Sequence, residues 1–337
     1  MRHLASNVLT LLILALIVAG IAIDRGQRDY AAPGPLSEPV IVRVERGDTM
    51  SDAAEALGRA GALPERTVFG LLPGASLFRV GARYQGAGAD LKAGEYEIPA
   101  QASMPEILEL LTSGRSIQFP ITIPEGLTSW AVVERLRGED VLTGEIGEIP
   151  PEGSLAPETY NVDRGTERAV LIRRMQARQK RLLAEAWEAR APDLPITSPE
   201  EALILASIIE KETPLGSERP KVASVFVNRL RRGMRLQTDP TVVYGAIEGN
   251  GRLDRPPTGP ELRTATPYNT YIIEGLPPTP IANPGRAAIE AALNPADTPY
   301  YYFVADGTGG HAFADTLAEH NANVRRWRRI ESQRDGE

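Results

Sequence analysis

The sequence predicts an α+β protein. It has a single N-terminal transmembrane helix, a small α/β module and a mixed α+β domain with long proline-rich loops. Three observations carry this prediction. Leu4–Ile23 contains no charged residue, and about 20 apolar residues span a bilayer as a helix. Strand-like alternation and helical spacing then exchange between residues 40 and 123. Beyond Ser198 two strongly signalled helices precede a stretch crowded with proline, from Pro240 to Pro284. At 337 residues the chain has room for about two domains. The expected divisions are an anchor at 1–25, a linker at 26–38, the small module at 39–116 and the larger domain at 117–332.

The elements follow in order. Val18-Ala19-Gly20 matches a signal-peptide cleavage site poorly and the apolar run continues through Ile23, which favours a retained anchor. Ala31-Ala32-Pro33-Gly34-Pro35 reads as a tether within residues 24–38. Val40, Val42 and Val44 alternate as in a strand, Gly47-Asp48-Thr49 turns the chain, and Ser51–Leu63 has helical spacing. Gly94–Ile98 reads as a second strand, followed by a helix whose capping box is Ser103 with Glu106. Ile117–Ile123 is a third strand ended by Pro124-Glu125-Gly126, and Gly144–Gly165 reads as loop. Glu167–Ala191 is a long amphipathic helix with a solvated basic face. Ser198-Pro199-Glu200-Glu201 starts another, with Ser198 as cap and Glu201 placed for a capping box. Ser217 starts a further helix, which Gly233 closes. Regular periodicity fails from Leu236 on, although its tyrosines argue against disorder. A short helix at Ile289–Leu293, a strand at Tyr300–Ala305 and a final helix near Thr316–Arg329 complete the chain.

Composition excludes several classes. The chain has no cysteine, so disulfides, thiolate catalysis and Cys-based zinc sites are absent. A net charge of −7 without basic blocks, and sparse aromatics, speak against a nucleic-acid partner. No P-loop, GxGxxG or GxSxG elbow occurs, and His311 and His320 lack the spacing of a metal site. No cofactor or metal is expected.

The candidate chemistry centres on Leu203–Thr213, an apolar run ending in Glu210 and Glu212 before Pro214. A carboxylate at the rim of an apolar segment pays a desolvation cost that raises its pKa, and a protonated carboxyl can serve as a general acid. Glu210 shares a helix face with Leu203, Ala206 and Ser207, small enough to line a groove. Glu212 shares one with Leu205, Ile208 and Ile209, and periodicity does not choose between the two acids. Gln237-Thr238-Asp239-Pro240-Thr241 is either a rigid substrate-facing turn or an Asx turn serving its own backbone. Tyr268-Asn269-Thr270-Tyr271 offers sugar-compatible polar groups or simple loop packing.

Four blocks in order resemble the YceG-like (MltG) family of membrane-anchored endolytic murein transglycosylases. They are LASIIEKET (205–213), VASVFVNRLRRGMRLQTDPTVVYG (222–245), TPYNTYIIEGLPPTPIANPG (266–285) and YYFVADGTGGHAFADTLAEHN (301–321). Upstream, VERGDTMSDAAEAL looks like a degenerate lysin motif, a peptidoglycan-binding module. The resemblance implies a lyase that cuts the MurNAc–GlcNAc β-1,4 bond within peptidoglycan strands and leaves 1,6-anhydro-MurNAc ends. The family's acidic position falls on Glu210. It further implies substrate contacts among Gln237, Asp239, Asn269, Tyr271 and His311, with Glu212, Glu319 and Glu125 as further members. An inner-membrane anchor, a periplasmic enzyme domain, nascent glycan strands as substrate and peptidoglycan synthases as partners are also implied. Two rivals remain at this stage: a hydrolase pairing Glu210 with Glu212 or Asp239, and a non-enzymatic wall-binding scaffold.

Overall fold

The computed structural model describes residues 2–334; Met1, where the expected anchor begins, and residues 335–337 lie outside the described residues. Contacts divide the chain into two units, Met1–Phe119 with Asn161–Gly165, and Pro120–Tyr160 with Thr166–Glu337. Both mix helices with short strands, as the fold class requires.

The first unit begins with α1 (Arg2–Ala31), in which Asn7–Ala31 is long and apolar enough to cross a membrane. Residues 7–21 are all exposed, so this surface is not a core face of the protein. The helix runs six residues past the expected end of the anchor, until Pro33 makes continuation unfavourable. The expected linker is therefore not a free tether. Asp29 accepts from the Val68 N–H (2.7 Å), Gly34 N–H donates to the Gln101 carbonyl (3.0 Å), and Gln101 N–H donates to the Leu36 carbonyl (3.0 Å).

Strand β1 (Val40–Val44) leads through Thr49 into α2 (Met50–Arg59), where Thr49 and Asp52 form a capping box. The helix ends at Arg59 rather than Leu63. Gly61 takes a left-handed conformation (φ 72°) and Ala62 N–H reaches back to the Leu57 carbonyl, a glycine-based stop. A tight hairpin of β2 (Arg66–Thr67) and β3 (Leu72–Pro73) precedes α3 (Gly74–Tyr84). Strand β4 (Gly94–Ile98) pairs antiparallel with β1 in the register Val42↔Tyr96, and α4 (Met104–Ser113) follows its Ser103–Glu106 capping box. Val42, Val44, Leu57, Phe78, Tyr96, Ile98 and Leu111 form one core. The Tyr96 hydroxyl reaches the Lys92 carbonyl at 2.7 Å, so its burial leaves no polar group stranded.

After β5 (Phe119–Thr122), the second unit continues with α5 (Ser129–Arg137) and β6 (Leu142–Thr143); β7 (Thr159–Val162) straddles the division at Asn161, and β8 (Thr166–Glu167) resumes the second unit. The stretch expected as loop thus holds a strand. The long helix α6 (Arg168–Glu188) leads to the centre of the unit, α7 (Pro199–Glu212) and α8 (Arg219–Arg231). The aperiodic region is not continuous coil: it contains α9 (Asp239–Ile247) and α10 (Gly259–Arg263), and α11 (Arg286–Leu293) follows. Strands β9 (Tyr302–Ala305) and β10 (His311–Ala314) form an antiparallel hairpin before α12 (Leu317–Arg334). Leu205, Ile208, Ile209, Val222, Phe226, Val243, Ile281, Ile289 and Leu293 pack as the core, with α11 laid against α7.

Candidate active site

Helix α7 is placed by its two ends. Ser198 caps it, accepting from the Glu201 N–H at 3.2 Å, with Pro199 in the first turn. Glu201 does not close the expected capping box; its carboxylate accepts instead from the Thr197 N–H at 2.6 Å. Between the ends, seven residues from Ala202 to Ile209 are buried, and Thr213 takes an extended conformation ahead of Pro214. Glu210 therefore stands in the last turn, just where the apolar run stops.

Its carboxylate is enclosed, with only 4% of the side chain exposed. One oxygen accepts from the Gly285 N–H at 2.9 Å and the other meets the Arg219 guanidinium at 2.9 Å. The same Arg219 nitrogen reaches Glu125 at 3.3 Å, and Glu125 is 43% exposed. The cluster thus runs from a buried acid through one guanidinium to a carboxylate at the surface. Desolvation is the strongest influence on Glu210 and raises its pKa, and the Glu125 charge adds to the rise. The Gly285 N–H and the Arg219 charge oppose it. The Arg219 Nε is buried without a partner, leaving one donor uncommitted beside the acid.

Two glycines make this geometry possible. Gly126 holds φ 75°, a left-handed turn that a side chain would strain, and its N–H donates to the Asn283 carbonyl at 2.9 Å. At Gly285 a Cβ would lie 1.8 Å from the Glu125 carboxylate. The Asn283 side chain fixes the intervening loop. It donates to the Leu127 carbonyl (3.0 Å) and to Glu152 (3.2 Å), and accepts from the Leu155 N–H (2.8 Å). Glu152 also accepts from the Ser129 N–H at 2.7 Å, and burial pushes its pKa up to about 6. Ala206 and Ser207 do not line a groove as expected. Both are fully buried, and the Ser207 hydroxyl accepts from the Ile281 N–H at 3.0 Å under this same loop.

Glu212 faces a different cluster. It is half-buried and hydrogen-bonded to the Thr238 hydroxyl, and burial pushes its pKa to about 7. Around it, Tyr271 donates to Asp239 at 2.7 Å, and Arg229 donates to Gln237 at 3.4 Å and to the Leu236 carbonyl at 2.8 Å. Gln237 and Asp239 are exposed and Tyr271 half-buried. Asp239 opens α9 with its carboxylate turned to Tyr271, so the Asx-turn reading does not describe it. His311 is held by Glu218, through Nδ1 at 2.7 Å and through its N–H at 3.0 Å. Glu218 immediately precedes Arg219, so α8 begins by gripping β10 and Glu210 with adjacent residues.

Asn269 and Glu319 do not join either cluster. Asn269 is fully buried, its amide spent on the Glu261, Leu262 and Thr264 carbonyls and on the Tyr271 N–H. It has no polar atom left for a ligand; it closes the loop that presents Tyr271. Glu319 is exposed in the first turn of α12. Sequence reasoning missed Arg219, Glu218 and Gly285. Arg219 sits beside Pro220 at a helix start, where periodicity is silent.

Fold and site together define an acid–base protein: an enclosed carboxyl at a helix end, held by one backbone donor and one guanidinium, on an α+β scaffold. The chain belongs to the YceG-like family, whose model matches residues 42–326. An endolytic murein transglycosylase of Bacillus subtilis is 35% identical over 72% of this chain and 75% of its own length. One of Streptococcus pneumoniae is 27% identical over 85% of this chain, which spans 58% of that protein. The crystal structure of a yceG-like protein of Listeria monocytogenes superposes with a TM-score of 0.50 at 30% identity, over 85% of this chain and 99% of that one.

Proposed function

We propose that this chain is an endolytic lytic transglycosylase that cleaves the MurNAc–GlcNAc β-1,4 bond within nascent peptidoglycan strands. Glu210 supplies both proton transfers. As a carboxylic acid it protonates the glycosidic oxygen while the C1–O bond breaks and positive charge develops on the sugar. As the resulting carboxylate it takes the proton from the 6-hydroxyl of the same sugar, whose oxygen closes on C1. The products are a 1,6-anhydro-MurNAc end and a free 4-hydroxyl, with no water consumed and the acid regenerated. Such acid–base help is worth about 10²- to 10⁴-fold.

The observation that carries this reading is the enclosure of the Glu210 carboxyl, whose pKa burial raises, at the family's acidic position. Arg219 steadies the carboxylate form between the two transfers. Gln237, Asp239 and Tyr271 are the proposed sugar contacts, with His311 oriented by Glu218. Glu212 and Asn269 support that surface from beneath, and Glu319 stands outside the proposed set. The lysin-like module at 39–116 is assigned to glycan binding and residues 117–332 to catalysis. Helix α1 is the single-pass inner-membrane anchor, with the rest in the periplasm near peptidoglycan synthases. There the enzyme would terminate strand growth.

One observation favours a second reading. Glu125 and Glu210 share a guanidinium nitrogen, so two carboxylates stand close together, as the pair of a hydrolase does. Mass analysis of digested sacculi decides between the two. Anhydro-ended muropeptides are expected from the wild type, and Glu210→Gln should release at least about 10²-fold less. Reducing ends without anhydro sugars would establish a hydrolase. Undiminished release by Glu210→Gln would remove the catalytic assignment.

A further inference from the structure

We infer that the β2–β3 hairpin is a membrane-contacting tip that rests its apolar residues in the lipid interface beside α1. The inference depends on the reading of α1 as a membrane span. The hairpin turn is Val68-Phe69-Gly70-Leu71, and it exposes 65% of Phe69 and 79% of Leu71. Two large apolar side chains on one projecting turn are unusual on a water-facing surface, where tight turns carry Gly, Asn or Asp. The backbone sharpens the point. Val68 and Phe69 both hold left-handed φ values, 49° and 59°, which β-branched and aromatic residues adopt only against steric resistance. Polar turn residues would relieve that strain, so the apolar identity serves something other than the turn.

The hairpin is fastened to α1 at a defined height. A Cβ at Gly26 would lie 3.8 Å from Val68 and 3.8 Å from Leu77, and Asp29 accepts from the Val68 N–H at 2.7 Å. Gly26 is buried, and Ala22, one turn earlier on the same face, is already half-buried inside the apolar run. Gly26 stands three residues beyond Ile23, about 4.5 Å along the axis. The tip therefore sits where hydrocarbon gives way to headgroups, the level at which aromatic rings and arginines collect. Arg25 lies over the Phe69 ring at 6.0 Å, and Arg66 braces the turn by donating to the Gly70 carbonyl at 3.2 Å. Arg25 is also paired with Asp29 at 3.0 Å, and an apolar tip flanked by arginines at the end of an apolar run is the pattern of an interfacial anchor. The occupant we assign is the bilayer itself, because α1 continues directly into it from the patch.

The full chain has no cysteine, so single nitroxide labels can be placed cleanly. Phe69→Cys, Leu71→Cys, Ile13→Cys within the span and Glu45→Cys on an exposed turn would be reconstituted in dilute phosphatidylethanolamine–phosphatidylglycerol vesicles. Collision with a water-soluble nickel chelate is compared with collision with oxygen. Labels at 69 and 71 should collide with nickel several-fold less often than the label at 45, and lie shallower than the label at 13. Nickel access at 69 and 71 equal to that at 45, with 13 still deep, would overturn the inference while leaving the span intact. A water-exposed label at 13 would overturn both, and is read separately. Protection that vanishes on dilution in lipid would assign the patch to a second copy of the chain and overturn the lipid assignment.

Discussion

Glu210 is held by two opposing demands. In the proposed mechanism enclosure suits it to donate a proton, and Arg219 makes the carboxylate tolerable once the proton has gone. Replacing Arg219 with Met removes the charge that lowers the Glu210 pKa, so the protonated form should persist to higher pH. The alkaline limb of the kcat/KM profile should move upward, and the rate at its optimum should fall by about 10- to 100-fold, less than for Glu210→Gln. A pH–rate series on both variants checks this, and an unmoved limb would show that Arg219 does not act through the acid. A helix ending in two carboxylates was legible in sequence, because an apolar run that stops at acids announces desolvation, but only the family resemblance chose Glu210 over Glu212. The partners of Glu210 were not legible. Arg219, Gly285 and Glu125 lie 9, 75 and 85 residues from Glu210 along the chain, and nothing in a local pattern reports contacts across such distances.

At the scale of elements, the loop from Ile281 to Gly285 decides whether a competent carboxyl exists. It is bound under α7 by Ser207 and to the start of α5 by Asn283. Asn283→Ala would strand the buried Leu155 N–H and take one of two donors from the Leu127 carbonyl and from one Glu152 oxygen. An abandoned buried partner costs about 1–3 kcal/mol, so with the two weakened acceptors stability should fall by about 2–4 kcal/mol by chemical denaturation. Activity should drop further than the unfolded fraction explains, because the Gly285 N–H loses its position. The region from 236 to 285 also shows why elements were missed. In α9, Thr241, Val242, Val243 and Tyr244 are all buried, so the helix has no polar face to give it a period. Its start signal, Thr238 before Asp239-Pro240, was nonetheless present, as was the Thr258–Glu261 capping box of the five-residue α10.

Across the second unit, two partly buried carboxyls tie stability to pH. Burial pushes Glu212 up to about 7 and Glu152 up to about 6, from an ordinary value of 4.5. The folded state therefore binds these protons more tightly than the unfolded one. Stability from this source is complete below about pH 4.5 and is lost as pH rises through about 6 and then 7. At 1.36 kcal/mol per unit, Glu212 alone accounts for about 3 kcal/mol. Glu212→Gln keeps an acceptor for the Thr238 hydroxyl and carries no charge. Its melting temperature should exceed that of the wild type at pH 8 and converge with it near pH 5, by calorimetry. A difference independent of pH would mean that folding leaves the Glu212 pKa unchanged.

The sequence by itself determined the mixed α+β class, the apolar N-terminal helix, the β1, β4, α4, α6 and α7 segments, and the pair of acids at the end of α7. These depend on periods of two and 3.6 residues, on caps and on uninterrupted apolar length, all properties of neighbours in the chain. Tertiary structure alone decided that α1 continues to Ala31 against the module, that Glu212 and Glu210 face separate clusters, and that Asn269 is spent on its own loop. It also supplied Arg219 and Gly285 to the acid. Burial and pairing are set by which distant segments exclude water together, and a carboxylate two residues from another can meet a wholly different set of them.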